Sequence, residues 1–294
     1  MEVIFNADDF GRSSEINRAV LQVHREGVLT SASLMVTGDA VEEAVALARA
    51  APELAVGLHL VLSDGRPALS PAEIPHLLLG MDRFPANPAR VWIQYIFSPV
   101  ARAEMVREVR AQFERFATTG LPLDHVIAHQ HIHMHPAVFN ALLPLARQYG
   151  ASGVRLPRDD FGLAMRYDRR DAAVKIVWAT VFGNLCRRYA GEFDSAAVAP
   201  GQVPAARGLA VADRVYGLMQ SGRMEEAYVL RVLKRAQTTP CLVELYFHPT
   251  TASESEPLGA NPGDLATLLS PAVRRAVEVG GWVRASYATL KEAR

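Results

Sequence analysis

Short apolar, β-rich runs alternate with amphipathic helical stretches along the first 150 residues, and this order constrains the fold more than any other feature of the chain. A run at residues 3–5 ends in the polar cluster Asn6-Ala7-Asp8-Asp9. Ser13 or Ser14 can then cap a helix whose Ile16, Ala19, Val20 and Val23 recur at helical spacing, with Gly27 closing it. Strand-like runs at 29–37 and 54–62 flank a helical pattern at 40–50. Residues 101–119 carry Met105, Val109, Phe113 and Phe116 on one stripe. Residues 121–128 then read as a strand, and 136–149 as a helix stopped by Gly150. Strands separated by helices with short connections predict a mostly parallel sheet, either open or closed into a barrel.

From about residue 160 to 235 the alternation breaks. This stretch is helix-rich, has a Pro/Gly hinge at 199–208, and reads as an insertion or lid on a single domain spanning 1–294. The pattern resumes with a strand at 241–247, a helix near 264–279 and a last strand around 282–287. Half of the 294 residues are hydrophobic, enough for a sizeable core and incompatible with wholesale disorder. Equal numbers of basic and acidic residues, 31 each, argue against a broad nucleic-acid-binding surface. The two cysteines, Cys186 and Cys241, exclude a disulfide scaffold and a cysteine-rich zinc site. The first residues, MEVIFNADDFG, lack the basic and apolar regions of a signal peptide, and no segment approaches the ~20 apolar residues of a membrane span. The expectation is a soluble, cytoplasmic protein.

The polar residues cluster where such a fold places its ligands. Five of nine histidines (His125, His129, His131, His133 and His135) fall within eleven residues after an apolar strand. If that segment is extended, alternation puts one set of imidazoles on a single face, able to converge on a cation. Asp8-Asp9 follows the first strand, His59 lies near the end of the third, and His248 ends a late strand in Glu244-Leu245-Tyr246-Phe247-His248. Taken singly, each has a plainer reading: a turn carboxylate, a core histidine, loop histidines bonded to their neighbours. Taken together they sit at the C-terminal ends of strands, where parallel α/β folds bind ligands. One carboxylate with two imidazoles is a common divalent-metal set. GxGxxG, P-loop and G-x-S-x-G motifs are absent, and residue 126 is Val rather than the Glu of an HExxH zincin.

NADDFG after the first strand, G-L-H-L, the block D-H-V-I-A-H-Q-H-I-H-M-H-P and the late F-H-P resemble the YdjC-like carbohydrate deacetylases, whose members include chitooligosaccharide deacetylases. The motifs stand in family order over residues 6–249. Length and the mid-chain helical insertion resemble the hopanoid-biosynthesis branch, HpnK. The resemblance implies a deformed (β/α) barrel of the glycoside hydrolase/deacetylase type that uses Mg²⁺ or Zn²⁺ to remove N-acetyl groups from amino sugars. On matching positions, Asp9, His59 and His129 would bind the metal and Asp8 would be the base or a partner of the ligands. Ala128 stands where the family often has a small polar residue, and His125 receives no role.

An N-acetyl amide is a poor electrophile with a poor leaving group, so a metal that acidifies water and polarises the carbonyl suits it. Asp8 can take the water proton, His248 is placed to protonate the leaving amine, and Arg155 or Arg158 can orient the base or support the oxyanion. For the arginines, surface salt bridges are the plainer reading. The expected substrate is an N-acetylglucosaminyl hopanoid lipid. The alternatives are a chitooligosaccharide, a metal-dependent phosphoesterase, and a non-catalytic sugar-binding protein on the same barrel. Residues 166–188 place apolar residues including Trp178, Val181 and Phe182 between Arg166, Arg169, Arg170 and Arg187, Arg188. They form either a lid helix packed on the barrel or a helix that touches the inner membrane surface.

Overall fold

The computed structural model describes residues 1–193, 208–238, 242–251 and 261–292. The chain runs β1 (Glu2–Phe10), α1 (Ser14–Glu26), β2 (Ser31–Leu34), α2 (Val41–Arg49) and β3 (Ala55–Leu60). It continues through α3 (Pro75–Leu78), α4 (Pro88–Phe97), α5 (Pro99–Thr118) and β4 (His125–Ala128). After a turn at His129–Met134 come α6 (Pro136–Gln148), β5 (Gly153–Val154), α7 (Phe161–Tyr167), α8 (Ala172–Phe193), β6 (Arg214–Tyr216) and α9 (Glu226–Ala236). Then follow β7 (Leu242–Phe247), α10 (Pro262–Leu269), α11 (Pro271–Val279), β8 (Val283–Arg284) and α12 (Tyr287–Glu292). The stretch 199–207 and Cys241 lie outside the described residues.

The strands pair in parallel in the order β5–β4–β3–β2–β1–β7–β6, with β8 beside the first residues of β1. The edges meet irregularly: Val154 donates to the Ala210 carbonyl (3.0 Å), and Val215 to that of Arg158 (3.3 Å). The result is a deformed α/β barrel, which settles the choice between open and closed sheets. Helix α1 forms as its sequence dictates, with Ser13 accepting from the Ile16 amide and Ile16, Ala19, Val20 and Val23 buried. The helix expected at 264–279 is instead two, because Ser270 caps α11 and Pro271 cannot continue α10. Strand β6 returns to the sheet within the stretch read as helix-rich. Among the described residues no helix is long and apolar enough to cross a membrane.

Two environments divide the core. Outside the sheet, apolar faces of β1 and β7 (Val3, Phe5, Val243, Leu245) pack with helix residues such as Val20, Phe113 and Phe139. Inside the barrel, alternate strand positions are polar and bond to one another. Asn6 donates to Asp8 Oδ1 and to Ser33 Oγ, both at 2.8 Å, and accepts from Ser31 Oγ at 2.7 Å. Two glycines make room for rings in this interior. A Cβ on Gly57 would stand 2.5 Å from the His125 ring, and one on Gly153 would stand 2.0 Å from that of Tyr287. A smaller apolar cluster including Ile4, Val215, Leu242 and Leu290 lies beneath the polar layers.

Candidate functional site

The site sits at the C-terminal mouth of the barrel, where β1, β3, β4 and β7 end. On β1, three residue steps from Ala7 to Phe10 oppose two on β2, so the strand bulges, and Asp9 takes a left-handed conformation with φ 64°. In a regular strand Asp8 and Asp9 would face opposite sides of the sheet. Here both carboxylates belong to the mouth. Asp9 Oδ1 lies 3.2 Å from His59 Nε2 and 3.1 Å from His129 Nδ1, and the two ring nitrogens are 3.4 Å apart. All three residues are at most 5% exposed. One carboxylate and two imidazoles offering atoms within 4.8 Å of one another could bind a divalent cation.

The electrostatics of this group are those of a proton-holding triad. Burial alone would raise the Asp9 pKa, but His129 and His59 hold the carboxyl well below its ordinary value. Burial lowers the His59 pKa and keeps its ring neutral. At His129 burial also acts downward, yet Asp9 and Asp64 outweigh it and push the imidazole up to about 9. Asp64, in the loop after β3, approaches His129 Nε2 at 3.8 Å and accepts from Arg12 at 3.2 Å, while Arg12 also faces Asp9 at 3.5 Å. That loop is held from behind by α5. Glu108 accepts from the Ala68 and Leu69 amides, and Gln112 bonds both the amide and carbonyl of Val61.

Beside the triad, Asp8 belongs to a different set of partners. Its carboxylate accepts a two-pronged pair of bonds from Arg155 Nη1 (2.8 Å) and Nη2 (2.9 Å). Burial would raise its pKa, but the Arg155 guanidinium holds it well below the usual carboxylate range. Arg155 is fully buried, so the surface-salt-bridge reading fails for it. Its far side meets Glu244 Oε1 from Nε (2.8 Å) and Nη2 (2.7 Å), and its face lies 4.4 Å from the Tyr246 ring centroid. Tyr287 donates to Glu244 Oε2 at 2.7 Å. His248 Nε2 stands 3.9 Å from Asp8 Oδ2, with its backbone fixed by Asp264 and Asn261. Arg158 belongs elsewhere, lining a cavity between α8 and β6.

The histidine block divides by job. The segment after β4 is not extended: Gln130 and His131 are left-handed (φ 52° and 53°), so the period-two face never forms. Only His129 reaches the triad. His125 bonds Asp124 and Ser33, both at 2.8 Å. His133 accepts from the Ala128 amide and donates to the Arg155 carbonyl, burial holding its pKa down at about 4. His135 caps α6, and His131 meets the Tyr246 hydroxyl at 2.9 Å. Sequence reasoning missed Arg12, Asp64, Glu244 and Tyr246. For the last two a signal existed, since Glu244, Tyr246 and His248 alternate along an otherwise apolar strand.

On α8 the exposed apolar residues are Val174, Ile176, Val177 and Val181, whereas Phe182 is buried against the His131 ring and Trp178 is partly buried. The helix therefore has both an inward apolar face and an outward one, and Trp178 and Phe182 belong to the inward side.

The chain is 44% identical over 149 residues to a carbohydrate deacetylase of Brevibacillus brevis, covering 51% of this chain and 57% of that relative. It is 38% identical over 169 residues to a chitooligosaccharide deacetylase of Enterobacter sp. strain 638, covering 57% and 60%. The alignments thus span little more than half the length of these curated relatives. A crystal structure of a candidate cellobiose-phosphate cleavage protein from Enterococcus faecalis V583 superimposes with a TM-score of 0.72 over 98% of both chains at 21% identity, which shows a shared fold. The profile of the family described as YdjC-like protein matches residues 2–279, and by that match the chain belongs to the YdjC-like family.

Proposed function

We propose that the protein is a metal-dependent deacetylase that hydrolyses the N-acetyl group of an amino sugar. The observation that carries the reading is the pairing of two sites at one mouth. A carboxylate–imidazole triad suited to a divalent cation (Asp9, His59, His129) adjoins a separate carboxylate fixed by a buried arginine (Asp8, Arg155). The deacetylase relatives support it. Two imidazole nitrogens favour zinc, while the family resemblance favours magnesium. A cation bound there supplies Lewis acidity, lowering the pKa of water and polarising the amide carbonyl.

The residues of the chain do the rest. Asp8 takes the proton of the attacking water, and Arg155, bonded to both its oxygens, fixes the orientation of the carboxylate. His248, 3.9 Å from Asp8, delivers a proton to the departing nitrogen. Water and amide thereby become acetate and free amine. The test is acetate release from N-acetylglucosaminyl substrates by the metal-loaded protein, before and after chelation. Release that chelation leaves untouched, or none with metal present, would overturn the reading.

For the finer assignments we read residues 1–294 as one domain with a helical insertion in 160–235, nearest the hopanoid-biosynthesis branch. The proposed substrate is an N-acetylglucosaminyl hopanoid, met by a cytoplasmic protein at the inner face of the membrane through 166–188. The outward face of α8 supports this, with Arg169, Arg187 and Arg188 also exposed.

A further inference from the structure

Beneath the mouth, Asp8 adjoins a row of buried polar residues that the mechanism above leaves without a task. Asn6, Ser31, Ser33, Asp124 and His125 are each at most 3% exposed. Ser33 on β2 pairs with Gly57 on β3, and the missing side chain there lets the His125 ring reach across from β4 to the Ser33 hydroxyl. The Tyr287 ring, 5.6 Å away between centroids, packs against the same imidazole.

The hydrogens in this row can be assigned one after another. Burial would raise the Asp124 pKa, but the bond from His125 holds the carboxyl below its ordinary value, so it is ionised and only accepts. His125 Nδ1, 2.8 Å away, therefore carries a hydrogen. A neutral ring then has a lone pair at Nε2, and the Ser33 hydroxyl donates to it at 2.8 Å. With its one hydrogen committed there rather than to Asp8 Oδ1 at 3.4 Å, Ser33 Oγ accepts from Asn6 Nδ2 at 2.8 Å. The other hydrogen of that nitrogen goes to Asp8 Oδ1, also at 2.8 Å, and Ser31 donates to Asn6 Oδ1 at 2.7 Å, which fixes the sense of the amide. The count at Asp8 then singles out one oxygen. A carboxylate has about four lone-pair sites, shared equally by its oxygens. Oδ1 uses both of its own, on Asn6 and on Arg155 Nη2 at 2.9 Å. Oδ2 uses one, on Arg155 Nη1 at 2.8 Å, and His248 Nε2 stands 3.9 Å from that atom.

We propose that His125, Ser33 and Asn6 are positioning residues: as one chain starting from Asp124, they fill Asp8 Oδ1 and leave Oδ2 as the atom that takes the proton of the attacking water. Without His125 the Ser33 hydrogen turns to Asp8 or to the Asn6 oxygen, the Asn6 amide loses its fixed sense, and the two carboxylate oxygens are no longer distinguished. The inference rests on the deacetylase reading for Asp8 as the base, but not for the direction of the chain.

Two measurements separate these. The first is acetate release from the β-linked N-acetylglucosamine disaccharide by the zinc-loaded protein. Ser33→Ala and His125→Asn should each lower kcat about tenfold, one hydrogen bond's worth, with KM and zinc affinity unchanged. The two together should lose no more than either alone. His125→Gln, whose carbonyl oxygen can take the place of Nε2, should restore the rate. The second is ¹⁵N NMR of the imidazoles, which needs no turnover. It should show His125 protonated at Nδ1 and bare at Nε2, with the Nε2 resonance moved by Ser33→Ala. A ring protonated at Nε2, an unchanged kcat in Ser33→Ala, additive losses in the double variant, or variants that lose only thermal stability would overturn the chain as a positioning device. The expected tautomer in a protein that releases no acetate, or that keeps metal and full turnover as Asp8→Asn, would overturn the base reading and with it the role of the chain, though not its direction.

Discussion

Metal uptake by this protein should be paid for in protons, and the structure says how many. Without metal, Asp9 is ionised, His59 is neutral, and His129 is protonated, its pKa pushed up to about 9 by Asp9 and Asp64. A cation needs His129 Nδ1 as a lone pair, so binding near neutral pH must expel one proton, from that ring. At pH 7 the cost is about two pKa units, roughly 100-fold in apparent affinity or ~2.7 kcal/mol. Affinity should therefore rise about tenfold per pH unit from near 7 to near 9 and level off above. An ordinary histidine, with a pKa near 6.5, would give a plateau from about pH 7 upward. Zinc titrations against a competing chelator at about pH 7, 8 and 9 distinguish the two, and calorimetry in buffers of different ionisation heat counts the protons released. A flat affinity between about pH 7 and 8.5, or a proton count near zero, would refute the argument. The same groups set the stability of the metal-free fold. The raised His129 contributes stability below its unfolded value near 6.5, lost as pH climbs through about 9. The depressed Asp9 contributes above about 3.8, lost as pH falls toward its lower folded value.

Three other perturbations test other parts of the site. Asp8→Asn should retain metal and lose about 10²–10⁴ in turnover, the range for a general base; unchanged turnover with metal bound would make Asp8 purely structural. Arg155→Met strands two buried carboxylates, Asp8 and Glu244, and should cost ~3–5 kcal/mol in urea unfolding, whereas a midpoint within error of wild type would show that the pair is not held by that guanidinium. Changing Val174, Ile176, Val177 and Val181 to Gln should abolish co-sedimentation with anionic liposomes, binding that salt should also weaken, since each nearby basic residue contributes roughly 1 kcal/mol; no sedimentation by the wild type would leave α8 a lid helix.

The fold was legible in the sequence where a single element carries its own signal. Helix α1 announces its cap and its buried stripe, and α5 shows Met105, Val109, Phe113 and Phe116 at helical spacing, all buried. Barrel closure was not legible, because it rests on a few irregular bonds between distant segments, such as Val154 to Ala210. Strand β6 has three residues and no pattern of its own; it is defined by β7 beside it. Asp8, Asp9, His59, His129 and His248 could be nominated because each stands at the C-terminal end of a strand: the first three in its last residues, where sequence had put the aspartates just beyond β1, and the last two directly after it. Arg12 and Asp64 could not, since Asp64 reaches the mouth only through a loop that Glu108 and Gln112 pin from a helix about 50 residues downstream. The histidine block misled for a related reason. Alternation suggested an extended face, but two left-handed residues turn the chain after His129, so its neighbours serve β5, α6 and Tyr246 instead.

Adjacent aspartates can meet two different sets of partners here only because the backbone between them is irregular. With regular pleating, one of Asp8 and Asp9 would point outward into the layer where Phe5, Val20 and Phe113 pack, and an ionised carboxylate there would lack any partner. The bulge and the left-handed Asp9 turn that carboxylate back to the mouth, at a conformational cost of order 1–3 kcal/mol. Two histidines and Arg12 then meet it, and the Met35 amide, bonding the Phe10 carbonyl at 2.7 Å, holds the far side of the bulge to β2. Asp8, left in register, keeps its interior face and meets Arg155 and Asn6. One inserted residue thus gives two adjacent carboxylates separate partners: a histidine pair that would release a proton as a cation binds, and an arginine that keeps Asp8 ionised.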